Sequence, residues 1–195
     1  ECLRSTGCRY LLRTWNFFPA ITKICVEHSQ TTRYELFCSG RLHAMQTSGI
    51  DTKTYPAATV IGNQSRYLQI YFLASDAPGI AVENPRQTSA YNYPLTNTFT
   101  RPLFSRGVLK AWGDCTHFYV SGTASIVGYE TLHINDVGAQ LNEAINNVET
   151  LVAHTNDQHQ TQLNAQDDLL YMKVYIRHSE NVAHINKVLA ARLSN

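Results

Sequence analysis

From Val137 onward the chain places apolar residues at Val137, Leu141, Ile145, Val148 and Val152, with Gln140, Asn142, Glu143, Asn146 and Glu149 between them. That spacing dictates an amphipathic helix, which has to lay its apolar face on something else. Asn135 or Asp136 supplies the N-cap. The Gln-rich segment His154 to Asp168 reads as a solvated extension of the helix or a loop. Leu169 to Ile176 then reads as a strand with Arg177 and His178 at its end. Ser179 caps a last helix that turns Val182, Ile185, Leu189 and Leu193 inward. A strand followed by a helix normally returns to its sheet as a parallel strand. No such strand follows before Asn195, and Glu1 is not an initiator methionine, so the chain is expected to be a piece of a longer protein.

Upstream, residues 1–27 read as irregular, with an aromatic knot at Trp15-Asn-Phe-Phe-Pro19. Tyr34, Phe37, Cys38, Leu42 and Met45 have helical spacing, which predicts a helix from Thr31 to Met45, closed by Thr47-Ser-Gly49. Ala57 to Gly62 and Tyr67 to Ala74 read as strands joined in a hairpin by Asn63-Gln-Ser65. Gly107 to Trp112 and His117 to Ser121 form a second hairpin around Gly113-Asp114. No internal repeat is visible, and no linker divides two full domains. A chain of 195 residues, 44% hydrophobic, fits one domain or one domain with a partial neighbour.

Composition excludes several function classes. The net charge is +1 and the 16 lysines and arginines are scattered, so nothing points to nucleic acid. The longest apolar runs fall far short of the roughly 20 residues that cross a bilayer. The five cysteines lack CxxC spacing, so neither a zinc site nor a disulfide framework is indicated, and the cheapest reading is a reduced, cytoplasmic protein. His154 and His159 lie in polar surroundings and read as solvated rather than metal-bound. No GxSxG, P-loop or HExxH motif is present.

What remains is a set of features at strand ends. The loop Val82 to Pro94 holds two prolines, which bar it from a central strand, yet it keeps Arg86, Tyr91 and Tyr93 close together. Gly122-Thr-Ala-Ser125 follows another strand, and its small residues permit close approach by a ligand or another backbone. Arg177 ends a third. Arginine suits carboxylates because its planar fork makes two parallel charged hydrogen bonds. Converging arginines and phenols would therefore hold a compact anion bearing carboxylates and hydroxyls. The alternative is that Arg86 caps a helix or bridges its loop, and that the tyrosines only pack.

Four longer runs carry a family resemblance. Val82 to Pro94 resembles the ENPRQxSAYxYP signature of the chorismatases, and Ser121 to Glu130 resembles their SGTASIVGxE run. Arg13 to Ile21 is similar to RxWNYxPxIN, and Val174 to His178 is similar to VYVRHP. The start of the helix at Asp136 to Glu143 matches as well. The resemblance implies an α+β fold: a mixed β-sheet backed by two helices, a Rid/chorismate-mutase-like domain (the YjgF-like, endoribonuclease L-PSP superfamily), preceded by part of a second, N-terminal domain. Residues 1–103 would be that partial domain, with the ENPRQ loop, and residues 104–195 the Rid-like domain without its last strand.

The activity implied is hydrolysis of chorismate, releasing pyruvate and leaving a dihydroxycyclohexadiene acid or a hydroxybenzoate. No metal or organic cofactor is implied. The partner is a small chorismate-like dicarboxylate, not nucleic acid or membrane, and the assembly a homotrimer. By position, Arg86, Tyr91, Tyr93, Thr123, Ala124 and Arg177 would bind substrate. Ala124 resembles a position that sets the product type, and alanine there looks like the simple hydrolase type. The family's acid, a glutamate, lies beyond Asn195, which would leave this chain without turnover on its own, and no catalytic residue is assigned within it. Asn92 stands where Asp is common and Phe17 where Tyr is common. Two other readings are a Rid-like imine or enamine deaminase and a non-catalytic trimer that binds a small metabolite.

Overall fold

The computed structural model describes residues 2–26, 30–95 and 100–193. The chain forms two compact units: Glu1–Glu83 with Ser89–Gly122, and Asn84–Thr88 with Thr123–Asn195. Among the described residues no helix is long and apolar enough to cross a membrane.

In the first unit a short helix α1 (Cys2–Thr6) precedes β1 (Tyr10–Pro19), and β2 (Ile24–Val26) pairs with β3 (Thr31–Thr32). Helix α2 (Arg33–Thr47) leads to β4 (Ala57–Asn63) and β5 (Gln69–Ser75). The strand order is β4-β1-β5, with β1 parallel to β4 and antiparallel to β5. Two expectations are corrected here. Residues 10–19 are the central strand of a mixed sheet rather than irregular, and β4 and β5 do not form a hairpin because β1 lies between them. The physical reason is that Leu12, Arg13 and Thr14 are buried in succession, which erases the alternation that marks a strand with one wet face. A parallel pair also needs a long crossover, and α2 supplies it between β1 and β4.

Helix α2 starts on a capping box. The Thr32 hydroxyl accepts from the Glu35 amide (3.3 Å), and the Glu35 carboxylate accepts from the Thr32 amide (2.5 Å). It ends at Gly49, whose φ of +69° glycine adopts without strain. Met45 on its inner face packs with Tyr55 and Leu103.

A second, antiparallel sheet joins β6 (Ile80–Val82), β7 (Gly107–Trp112) and β8 (Cys115–Val120), with Gly113 at φ +68° in the β7–β8 turn. Leu12, Ala57 and Val108 form the core beneath it, with Tyr119 against them. Ser121 ties the strands together. Its hydroxyl donates to the Ser105 carbonyl (2.5 Å) and accepts from the Ala58 amide (2.8 Å). The β7–β8 hairpin, grouped with residues 104–195 by the sequence, thus belongs to the first unit.

The second unit holds the two-stranded β9 (Ile126–Val127) and β10 (Glu130–Thr131), then α3 (Val137–His159) and α4 (Val182–Leu193). Asp136 caps α3 by accepting from the Ala139 amide at 2.9 Å. Ile145, Leu151 and Val152 are buried, as the apolar spacing requires. Residues 169–176 are not a strand, contrary to the expectation: no described strand offers them a hydrogen-bonding neighbour, and Leu170 and Tyr171 are 86% and 73% exposed. Ser179 opens a 3-10 turn (Ser179–Asn181) instead of capping α4 directly, and Val182 faces solvent while Ile185 is buried. The fold class is α+β, with its mixed sheet in the first unit.

Candidate functional site

The predicted binding residues fall into two groups, one in each unit. Arg86, Thr123, Ala124 and Arg177 lie in the second, and Tyr91 and Tyr93 in the first.

Around Arg86 the backbone is held on every side. The Asn84 side-chain oxygen accepts from the Arg86 amide (3.0 Å), a local turn that asparagine favours. Residues 86–88 then run beside Gly128: Thr88 N–H donates to the Gly128 carbonyl (2.9 Å) and Gly128 N–H to the Arg86 carbonyl (2.8 Å). The Gln87 side chain donates to the Ile126 carbonyl at 3.0 Å. From α3, the side-chain amide of the fully buried Asn147 donates to the Ala124 and Ile126 carbonyls (3.1 and 2.9 Å), while the Asn147 main-chain carbonyl accepts from the Asn84 side chain (2.8 Å). Arg86 and Ala124 therefore share one hydrogen-bonded frame.

The Arg86 guanidinium donates to Glu143 at 2.6 Å, and the other Glu143 oxygen lies 3.4 Å from His133 Nε2. The Glu143 side chain is only 12% exposed, against 33% for Arg86. Glu143 was expected on the solvated face of its helix; it faces the arginine instead. The pair fixes one arm of the guanidinium, whose planar fork carries further N–H donors. Thr123 is half-buried, Ala124 is exposed, and Arg177 is exposed in the irregular segment 161–178.

Gly122, at the start of the small-residue run, belongs to the first unit, and it serves a backbone approach. Its amide donates to the Ala58 carbonyl at 2.9 Å, and an added Cβ would stand 3.0 Å from the Thr59 hydroxyl.

In the first unit, Tyr91 lies on a 3-10 turn (Ala90–Asn92) directly before Tyr93. The Tyr91 ring meets Tyr55 edge-on at 5.5 Å and packs against the Met45 cluster. The Tyr93 hydroxyl accepts from Arg106 Nη2 at 2.8 Å. Arg106 is 5% exposed, and the Tyr93 and Phe104 rings stand 5.7 and 5.3 Å from its guanidinium carbon. A phenol that accepts from a buried cation keeps its own proton for another acceptor.

Glu83, not singled out from the sequence, is an acid with a buried carboxyl in the same unit as Tyr91 and Tyr93. Both its oxygens are buried, and neither reaches hydrogen-bond geometry with a partner among the described residues. Burial pushes its carboxyl up, outweighing the Ser89 hydroxyl and Arg106, which favour the charged form. With Tyr91, Lys53 and Gly79 it lines a cleft of about 560 Å³, a size that suits a small metabolite. A perturbed acid in a cleft is a functional candidate on physical grounds. The available signal was an acidic residue directly after the apolar β6.

Behind this group, Tyr34, Cys38 and Arg41 share one face of α2. Burial pushes the Cys38 thiol up to about 11, raises the Tyr34 phenol and lowers Arg41. Arg41 Nε donates to the Leu103 carbonyl (3.0 Å), and its Nη2 is buried without a hydrogen-bond partner among the described residues. The described residues hold no cluster of three or more His, Cys, Asp or Glu suited to a metal ion.

Residues 1–74 match the family model described as chorismatase FkbO/Hyg5-like, N-terminal. A chorismatase of Streptomyces rapamycinicus is 34% identical over 199 residues, covering 100% of this chain and 59% of the relative. The chain belongs to the chorismatase family. A 3-hydroxybenzoate synthase of Streptomyces hygroscopicus is 33% identical, over 96% of this chain and 57% of its own length. A chorismatase crystal structure at 1.08 Å resolution superposes with a TM-score of 0.89 at 33% identity, over 97% of this chain and 58% of that one. The chain thus spans somewhat over half the length of the chorismatases it matches.

Proposed function

We propose that the protein carrying this chain hydrolyses chorismate to pyruvate and a dihydroxycyclohexadiene acid or a hydroxybenzoate. The observation that carries this reading is the match to the Streptomyces rapamycinicus chorismatase along the whole chain. The chemistry needs a proton delivered to the exocyclic methylene of the enol ether, water added at the ether carbon, and the ring carboxylate and hydroxyls held still meanwhile. Arg86, Tyr91, Tyr93, Thr123, Ala124 and Arg177 are the holding groups in this reading. The pair with Glu143 supports the role of Arg86, because it orients the guanidinium, and the Arg106 bond supports Tyr93, because it turns the phenol into a donor. A cytoplasmic homotrimer belongs to the same reading, and sedimentation at the monomer mass would remove the trimer.

The test is direct. The protein expressed from its complete gene is mixed with chorismate, and pyruvate is followed through lactate dehydrogenase. Release of pyruvate with loss of chorismate supports the reading; intact chorismate after prolonged incubation sinks it. No observation favours the imine deaminase or the non-catalytic binding trimer.

A further inference from the structure

We propose that the outer edge of β5 is an interface between two copies of this chain, paired antiparallel about a two-fold axis at Tyr71. β5 ends its sheet, with β1 on one side and no described strand on the other. Tyr67, Leu68, Ile70, Tyr71, Phe72 and Leu73 are each 41–75% exposed. They lie on both faces of the sheet. Tyr71 and Leu73 share the face of Trp15 and Arg13 on β1, and Ile70 and Phe72 share that of Asn16 and Thr14. A strand with one wet face would turn polar residues to it. Here both faces end in large apolar side chains, so the edge lacks a further strand rather than a covering layer.

Exposed edges are normally blunted by charge, proline, a bulge or brevity. β5 has none of these along its length: no charged residue, proline or glycine stands between Tyr67 and Ser75. Its shift of register against β1 lies at one end, opposite Leu11 and Arg13. The other ends of the two three-stranded sheets are better protected. Ala57, Ala58 and Thr59 of β4 are buried, β6 has three residues, and β8 mixes Thr116 and His117 into its edge.

The charges that flank the strand set the occupant. Arg66 precedes it and Asp76 follows it; both are exposed, and neither is in an ion pair among the described residues. Each stands five positions from Tyr71. Pairing β5 with itself about Tyr71 therefore sets Arg66 opposite the Asp76 of the second copy, twice over. It also sets Ile70 against Phe72 and Leu68 against Ala74, and every residue meets one on its own face of the sheet. Moving the axis by one residue sets Asp76 against Leu68 or Arg66 against Ala74, and the charges lose their partners. The apolar pairs supply the attraction and the flanking charges fix the register. The two-fold closes the contact, since β5 of one copy covers β5 of the other and no free edge remains there. Alone it gives a dimer; combined with the trimer proposed above it gives a hexamer.

The protein expressed from its complete gene is followed by analytical ultracentrifugation across micromolar concentrations, and an even-numbered assembly is expected. Tyr71→Glu places two carboxylates at the axis and should raise the dissociation constant about a hundredfold. Arg66→Asp leaves Asp76 facing an aspartate and should raise it about tenfold. Adding Asp76→Arg to Arg66→Asp should bring it back to within about threefold of the starting value. A monomer or a trimer across the range would overturn the proposal. That includes a monomer whose β5 amides resist hydrogen exchange, in which a segment of the same molecule covers the edge. Open-ended growth would overturn it too, because a two-fold contact closes. So would an even-numbered assembly whose strength ignores Arg66→Asp or is not restored by the exchange of charges. The exchange stands even if Tyr71→Glu fails to fold, because Arg66 and Asp76 are exposed at the ends of the strand.

Discussion

Glu143 and Asn147 stand one helical turn apart on α3, and together they hold both strands of the Arg86 frame: Glu143 takes the Arg86 side chain, and Asn147 takes the carbonyls of Ala124 and Ile126. A single helix face therefore sets the position of the arginine and the course of the small-residue segment beside it.

Replacing Glu143 by Gln should lower stability by about 1–2 kcal/mol, the scale of a charged hydrogen bond at a partly buried site. Urea midpoints measure it. In the complete protein Arg86→Ala should raise the KM for chorismate about tenfold or more, with E143Q raising it less. An unchanged KM in R86A would take Arg86 out of the site.

Asn147→Ala should cost more, about 2–4 kcal/mol, because it removes two buried hydrogen bonds and leaves a small void. A loss below about 0.5 kcal/mol would show that the frame holds without it.

The two tyrosines of the loop should respond differently. Tyr93→Phe removes the acceptor of the buried Arg106 and should destabilise by about 1–3 kcal/mol. Tyr91→Phe keeps the ring contact with Tyr55 and should stay within about 0.5 kcal/mol. The reverse order would contradict the Arg106 bond to the Tyr93 hydroxyl.

Glu83 holds its proton more tightly folded than unfolded, since burial raises its pKa. The stability linked to it is complete below the unfolded carboxyl range and is lost as pH rises through the folded value. The protein should thus weaken relative to Glu83→Gln from about pH 4 upward. A difference that runs the other way, with the unmutated protein gaining, would show that the Arg106 charge dominates instead.

Cys38, with a thiol pushed up to about 11 and a side chain buried on α2, should resist thiol reagents at neutral pH until the protein unfolds. Labelling with and without urea, read by peptide mapping, tests this. Modification of Cys38 in the native protein as fast as Cys25 would refute it.

Much of this fold follows from local pattern. The α3 helix, the β7–β8 hairpin and α2 with its Gly49 stop are encoded by residues near each other in the chain. What could not be read depends on distant partners. β1 is central only because β4 and β5 arrive on either side, and its unbroken burial at Leu12, Arg13 and Thr14 hides its period. The run 169–176 has strand-forming residues, yet a strand exists only beside another. The site was legible in residue type rather than in pairing: Arg86 and Tyr93 stood out, but Glu143 looked solvated and Arg106 looked like any scattered base. Their roles come from contacts across 57 and 13 positions of sequence.

The second unit borrows residues 84–88 from the middle of the first, and Gly128, Ile126 and Glu143 all bond to that borrowed piece. Genetic exchange between two relatives at residue 122 would give a chimaera in which Arg86 descends from one parent and Glu143 from the other. Such a chain inherits a working frame only where both parents kept the same pair, so lineages that recombine there are held to a shared solution at two places far apart in the gene.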